Sequence, residues 1–130
     1  VIERGGRRLF DWVQATWNVL EPSAGPALAR AKARGLRTIA KEGLANGRLA
    51  TRGQLGPWLE LARTVDAAPD ALALAAALQQ PFLDVVLSGA ATVEQLRSNL
   101  NATKTPVPGV NAFAVSPDEY WTQRSRLPWT

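Results

Sequence analysis

Three short runs of strand-forming residues, each followed by a stretch with helical spacing, decide what this chain can fold into. The runs are residues 9–17 (LFDWVQATW), 36–41 (LRTIAK) and 83–88 (LDVVLS), each bounded by Gly, Pro or Asn. Between the first two, residues 23–34 place Ala24, Ala27, Leu28 and Ala31 on one helical face, and Gly35 closes the helix. After the second run comes a loop at 42–53 punctuated by Gly43, Gly47 and Gly53. Leu55, Trp58, Leu59 and Ala62 then mark a helix, and another starts at Pro69. That second helix (PDALALAAALQQ) is apolar nearly all round and is expected to be buried. Residues 92–101 read as a helix, residues 102–113 as irregular, and Ser116-Pro117-Asp118-Glu119 as a last helix start with a capping box. The order β-α-β-α-α-β-α-α calls for parallel strands joined by helical crossovers. An α/β fold with three parallel strands and outer helices is therefore expected. The order alone does not separate an open doubly wound sheet from a segment of a barrel.

Composition narrows the chemistry. The 130 residues include no cysteine, which excludes disulfides and thiolate metal sites. They include no histidine, which excludes imidazole acid–base chemistry and His-ligated zinc. An enzyme made from this chain alone has only carboxylates, lysines, hydroxyls and the single tyrosine, Tyr120, to work with. The net charge of +4 comes from scattered arginines with few aromatics between them. These read as solvated faces, and no nucleic-acid partner is expected. No apolar run reaches the length of a membrane span, so no membrane partner is expected. Val1-Ile2 leads at once into Glu3 and Arg4, without the pattern of a signal peptide, and the cytoplasm is the expected compartment. The opening VIERGG reads as the tail of a preceding helix whose start lies upstream.

The third strand opens through Ser88-Gly89-Ala90-Ala91 directly into a helix. Such a corner brings backbone N–H groups and the positive end of a helix close to whatever sits above the strand. Several residues carry both a plain structural reading and a functional one. Gln95 completes a capping box with Thr92, or contacts a ligand. Gln14 is a polar side chain within an apolar strand, which is costly unless it is paired. Asn46-Gly47 is a turn signal, Lys41 stands at a strand end, and Asn99 is an amide on a helix. Trp12, Trp17, Trp58, Trp121 and Trp129 read as packing residues, and Tyr120 is assigned no chemistry.

Taken together, FDWVQATWN, GLRTIAKEGLANGRL and PFLDVVLSGAATVEQLRSNL resemble the C-terminal part of an aldo/keto reductase, a similarity running over residues 8–101. The resemblance implies a (β/α)8 TIM barrel that binds NADPH in an extended conformation, with the three strands here as the sixth, seventh and eighth. A full barrel takes roughly 250 residues, so residues 1–130 would form a single partial domain, about half a barrel, with residues 102–130 as a C-terminal tail carrying a short helix. The family's catalytic Asp, Tyr, Lys and His belong to the earlier half, so no catalytic residue is assigned here.

Carried over position by position, the resemblance implies that Gln14 holds the nicotinamide carboxamide. Lys41 stands where many members place an aromatic that stacks on the nicotinamide ring, which weakens that stacking. Leu44, Asn46 and Gly47 match the loop that wraps the pyrophosphate, with Arg52 near a position that is often basic. Gly89, Ala91, Gln95 and Asn99 match the adenosine end. Members often carry a lysine or arginine there to grip a 2′-phosphate, and no cation stands among Gly89, Ala90, Ala91 and Gln95. The implied cofactor is NADP or NAD, with the usual bias toward NADP weakened. The implied function is an NAD(P)H-dependent oxidoreductase acting on a small-molecule carbonyl substrate, of which this chain supplies the cofactor-binding half. The partner is the N-terminal barrel half or a second copy. The alternative is a non-catalytic truncated barrel acting as an interaction or self-association module. In either case two strand edges and an inner face, expected to carry Val13, Ile39 and Val86 or their neighbours, are left for a partner.

Overall fold

The structure is a computed structural model and describes residues 2–127. Trp129 lies outside the described residues.

The chain opens with a hairpin and not with the tail of a helix. β1 (Glu3–Arg4) pairs antiparallel with β2 (Arg7–Arg8), Glu3 opposite Arg8 and Arg4 opposite Arg7. The link is Gly5-Gly6, with φ of +57° and +73°. A two-residue hairpin turn of this kind needs positive φ at both central positions, which glycine supplies without strain. Arg8 then reaches across 27 residues to donate to the Gly35 carbonyl at 2.7 Å, at the carbonyl end of the first helix. A guanidinium there satisfies an orphan carbonyl and complements the helix dipole.

β3 (Trp12–Thr16), β4 (Arg37–Lys41) and β5 (Val85–Val86) form a parallel sheet in the order β3-β4-β5. Gln14 stands opposite Ile39, and Ile39 opposite Val85. The connections are helical: α1 (Gly25–Ala33) between β3 and β4, then α2 (Gly56–Thr64) and α3 (Pro69–Leu78) between β4 and β5. α4 (Val93–Leu100) follows β5, two short 3₁₀ turns cover Asn101–Thr103 and Asn111–Phe113, and α5 (Pro117–Ser125) comes last. The helices cover one face of the sheet, where Val13, Ala15, Ala40 and Val86 pack with Trp17, Leu28 and Ala77. The other face carries Trp12, Gln14, Arg37 and Lys41, all exposed, and half-buried Ile39. Val13 and Val86 therefore belong to the helix-covered face and only Ile39 to the bare one. Alternation along a strand shows which residues share a face, not which face the helices cover.

β5 is shorter than the expected run because a side chain takes over its first step. Asp84 Oδ2 accepts from the Thr38 N–H at 2.8 Å, and the Thr38 hydroxyl donates to the Phe82 carbonyl at 2.5 Å. Lys32 Nζ lies 3.1 Å from Asp84 Oδ1. The Thr38 N–H holds the Asp84 carboxyl below its ordinary value of 3.8, with Lys32 adding to the effect against partial desolvation. A carboxylate whose folded pKa is depressed contributes stability above its unfolded value and loses that contribution as pH falls through the folded value. Asp84→Asn is therefore expected to lower the urea midpoint at pH 7, and the gap to the native protein should narrow below about pH 4. A gap of equal size at pH 3 and pH 7 would show that the charge on Asp84 does not hold β5.

The main core lies beneath the loops that follow the strands. Val19, Leu20, Ala45, Leu49, Trp58, Ala62, Leu72 and Tyr120 are all buried in one cluster. As expected from its composition, α3 is buried over almost its whole length, from Asp70 to Ala77. Its first turn holds the one carboxylate in that apolar run.

Candidate functional site

An open cleft of about 1560 Å³ lies beyond the C-terminal ends of the parallel strands. Its walls come from the segments that follow each strand: Leu20 after β3, residues 42–55 after β4 and residues 87–91 after β5. Glu119, Gln123 and Leu127 close it from the side of α5. Parallel βα folds bind ligands at this end, where the βα loops and the helix N-termini converge.

The loop after β4 is a chain of tight turns. Glu42, Ala45 and Asn46 adopt left-handed φ of 56°, 49° and 56°, and Gly47 follows at 84°. Left-handed non-glycine residues are costly and persist where the surroundings over-determine them. Ala45 and Leu49 do this by being wholly buried in the core. Gly53 ends the loop under a sterically absolute constraint, since a Cβ there would stand 2.1 Å from the Arg48 carbonyl oxygen. Leu44, Asn46, Gly47 and Arg52 all line the cleft from this loop.

The corner after β5 supplies Gly89, Ala91, Gln95 and Asn99 to the opposite wall. A Cβ on Gly89 would meet nothing within 4 Å, so this wall is open to a ligand. Some of the backbone N–H groups expected to be free here are engaged by side chains. Gln95 Oε1 accepts from the Ala91 N–H at 2.8 Å and from the Thr92 N–H at 3.3 Å. Thr92 Oγ1 in return accepts from the Gln95 N–H at 3.2 Å, which completes a reciprocal capping box. The capping reading of Gln95 is thus realised, and its side-chain oxygen covers the helix end. Asn99 is buried, donates from Nδ2 to the Ser88 carbonyl at 3.0 Å, and leaves Oδ1 without a partner.

Gln14 and Lys41 do not line the cleft. They stand on the bare face of the sheet, both exposed, Gln14 in the middle of β3 and Lys41 at the end of β4. The other eight residues singled out from the sequence are brought together.

Arg48, Glu42, Asp70 and Gln54 are among the lining residues that carry no site signal in the sequence. Arg48 lies with its guanidinium carbon 4.4 Å from the centre of the Tyr120 ring, and its side chain donates to Ala45 O at 3.1 Å and Gln123 Oε1 at 2.9 Å. Glu42 accepts from the Tyr120 hydroxyl at 3.3 Å. Asp70, at 7% exposure, has a buried Oδ1 with no hydrogen-bond partner. Gln54 lines the loop wall. Burial pushes the Tyr120 phenol above its ordinary value, against the pull of the Asn18 amide that donates to it at 3.0 Å. Tyr120 therefore stays neutral and acts as a bracket between α5 and the strand ends. Among the described residues, no group of three or more carboxylates could hold a metal ion, and no helix is long and apolar enough to cross a membrane.

No protein-family model matches the sequence. No curated protein matches it either. Solved structures do match the fold. The holo form of aldo-keto reductase AKR11C1 from Bacillus halodurans superposes with a TM-score of 0.62 at 16% identity, covering 91% of this chain and 43% of that one. Its apo form gives a TM-score of 0.61 at 16% identity, over 88% of this chain and 43% of that one. The thermostable aldo-keto reductase Tm1743, in complex with the inhibitor epalrestat, gives 0.59 at 22% identity, over 88% of this chain and 39% of that one. The chain thus spans about two fifths of the length of these proteins. Its three parallel strands and outer helices have the fold of part of an aldo-keto reductase (β/α)8 barrel.

Proposed function

We propose that this chain is a single partial domain, the cofactor-binding C-terminal part of an NAD(P)H-dependent carbonyl reductase of the aldo-keto reductase type. One observation carries the reading: eight residues chosen from sequence resemblance, spread over residues 44–99, converge on one cleft beyond the strand ends. The cleft also fits the group in kind. It is open and of about 1560 Å³, it has arginines on the loop wall, and it holds buried oxygen acceptors that lack donors. Leu44, Asn46, Gly47 and Arg52 would hold the pyrophosphate, and Gly89, Ala91, Gln95 and Asn99 the adenosine. Gln14 and Lys41, on the bare face, would lie inside the completed barrel beside the nicotinamide.

When bound, the nicotinamide supplies a hydride to the carbonyl carbon of a small-molecule substrate. The developing alkoxide needs a proton donor within hydrogen-bond reach. Tyr120 is engaged with Asn18, Glu42 and Arg48 and does not serve. The donor comes from the N-terminal half of the barrel. The bare face, with Trp12, Arg37 and Ile39, and the unpaired outer edges of β3 and β5 are the surfaces that half would cover.

The test is steady-state oxidation of NADPH and NADH with a panel of aldehydes, together with light scattering. The 130 residues alone are expected to turn over nothing and to associate. The same residues joined to an N-terminal barrel half are expected to turn over as a soluble species. Turnover by the monomeric 130-residue chain would place the chemistry in residues read here as scaffold. A completed barrel that binds neither cofactor would favour the non-catalytic interaction module.

A further inference from the structure

The cleft has an electrostatic asymmetry that neither the capping box nor the loop accounts for. Asp70 and Asn99 both line it, at 7% and 5% exposure, and each has a buried side-chain oxygen with no hydrogen-bond partner. They come from neighbouring helices, α3 and α4, which pack against each other. Buried acceptors without donors are rare in native proteins, and each calls for a partner that a bound molecule can provide. The adjacent corner is poor in positive charge. Ser88, Gly89, Ala90, Ala91 and Gln95 carry no cation, and the Ala91 and Thr92 N–H groups are engaged by Gln95. Of the two cleft arginines on the loop wall, Arg48 is held against Tyr120, Gln123 and Ala45, with only its buried Nη2 left without a hydrogen-bond partner.

We propose that Asp70 is a specificity-determining residue: its buried carboxylate, with the Asn99 amide oxygen, selects an adenosine end that presents hydrogen-bond donors and rejects one bearing a 2′-phosphate. The inference rests on the dinucleotide reading above and deepens it. An amine or ribose hydroxyl satisfies an acceptor of this kind. A phosphate brought to the same wall meets a like charge held in a poorly solvated site. Discrimination by repulsion needs no contact with the rejected group beyond proximity.

The experiment measures calorimetric Kd values for NAD⁺ and NADP⁺, and for AMP and adenosine 2′,5′-bisphosphate, with the full protein and its Asp70→Asn variant. The native protein is expected to bind NAD⁺ at least about tenfold more tightly than NADP⁺, with the same sense for the two half-molecules. D70N should bring the ratio to within about threefold, chiefly by tightening NADP⁺. Tighter binding of NADP⁺ by the native protein overturns the proposal without need of the variant, and would place a working cation at Arg52 or in the N-terminal half. An unchanged ratio in D70N overturns it as well. Failure to bind any of the four ligands overturns the dinucleotide reading itself, and so is distinguishable from a wrong assignment of Asp70.

Discussion

Replacing Trp58 by alanine is expected to destabilise the protein by about 3–5 kcal/mol, the range for removing a large aromatic from a packed core. Trp58 is wholly buried. It joins three pieces of chain. Its Nε1–H donates to the Leu49 carbonyl of the loop at 3.0 Å and to the Pro69 carbonyl at the start of α3 at 3.3 Å. Its ring meets Phe113 edge-on at 5.2 Å. The alanine variant leaves a cavity under the loop and strips a donor from two carbonyls. Trp58→Phe keeps most of the ring and loses only the donor, so a smaller loss of about 1–2 kcal/mol is expected. Urea unfolding followed by circular dichroism measures both. If the two variants are equally destabilised, the indole N–H and not the ring volume fixes the loop to α3.

Asn18→Ala is expected to cost about 2–4 kcal/mol, because one small side chain there meets four backbone and side-chain groups at once. Its Oδ1 accepts from the Leu20 and Glu21 N–H groups, both at 3.0 Å. Its Nδ2 donates to the Glu42 carbonyl at 2.9 Å and to the Tyr120 hydroxyl at 3.0 Å. Asn18 is fully buried, so truncation leaves those groups without water to replace the amide. Asn18→Asp separates the two halves of the side chain. Its carboxylate keeps the acceptor bonds but faces the Glu42 carbonyl with an oxygen in place of an N–H. Asp is therefore expected to destabilise nearly as much as Ala. An aspartate variant within about 0.5 kcal/mol of the native protein would mean that the bonds to Glu42 and Tyr120 contribute nothing net.

Most of the architecture was legible because it is written locally. Strand-forming runs separated by helical spacing give the parallel order, and the all-apolar α3 announces its own burial. What could not be read is either symmetric or distant. A period of two has no sign, so alternation alone does not tell that Val13 lies on the helix-covered face. The opening hairpin was missed because charged residues flank Gly5-Gly6 where a strand would show apolar alternation. The length of β5 depended on Asp84, whose partner Thr38 is 46 residues away. In the cleft, the loop and corner residues were visible as a pattern. Asp70, in the first turn of a helix, and Arg48, in the loop, carry no sequence signal of their own. Their roles come from a wall that exists only once α3, α5 and the loop have met.

The Asn18–Tyr120 bond spans 102 residues and the Arg48–Gln123 bond spans 75. On a ribosome this fixes an order of events. The strand ends and the loop after β4 are made early, yet the bonds of Asn18 to Tyr120 and of Arg48 to Gln123 stay unmade until α5 has emerged. A nascent chain stopped just short of residue 117 carries all eight cleft positions named from the sequence, but with one wall missing and Asn18 lacking its bond to Tyr120. The cleft is thus completed in a single late step, and partly synthesised or C-terminally trimmed copies are marked by an open, hydratable rim that a protease can find.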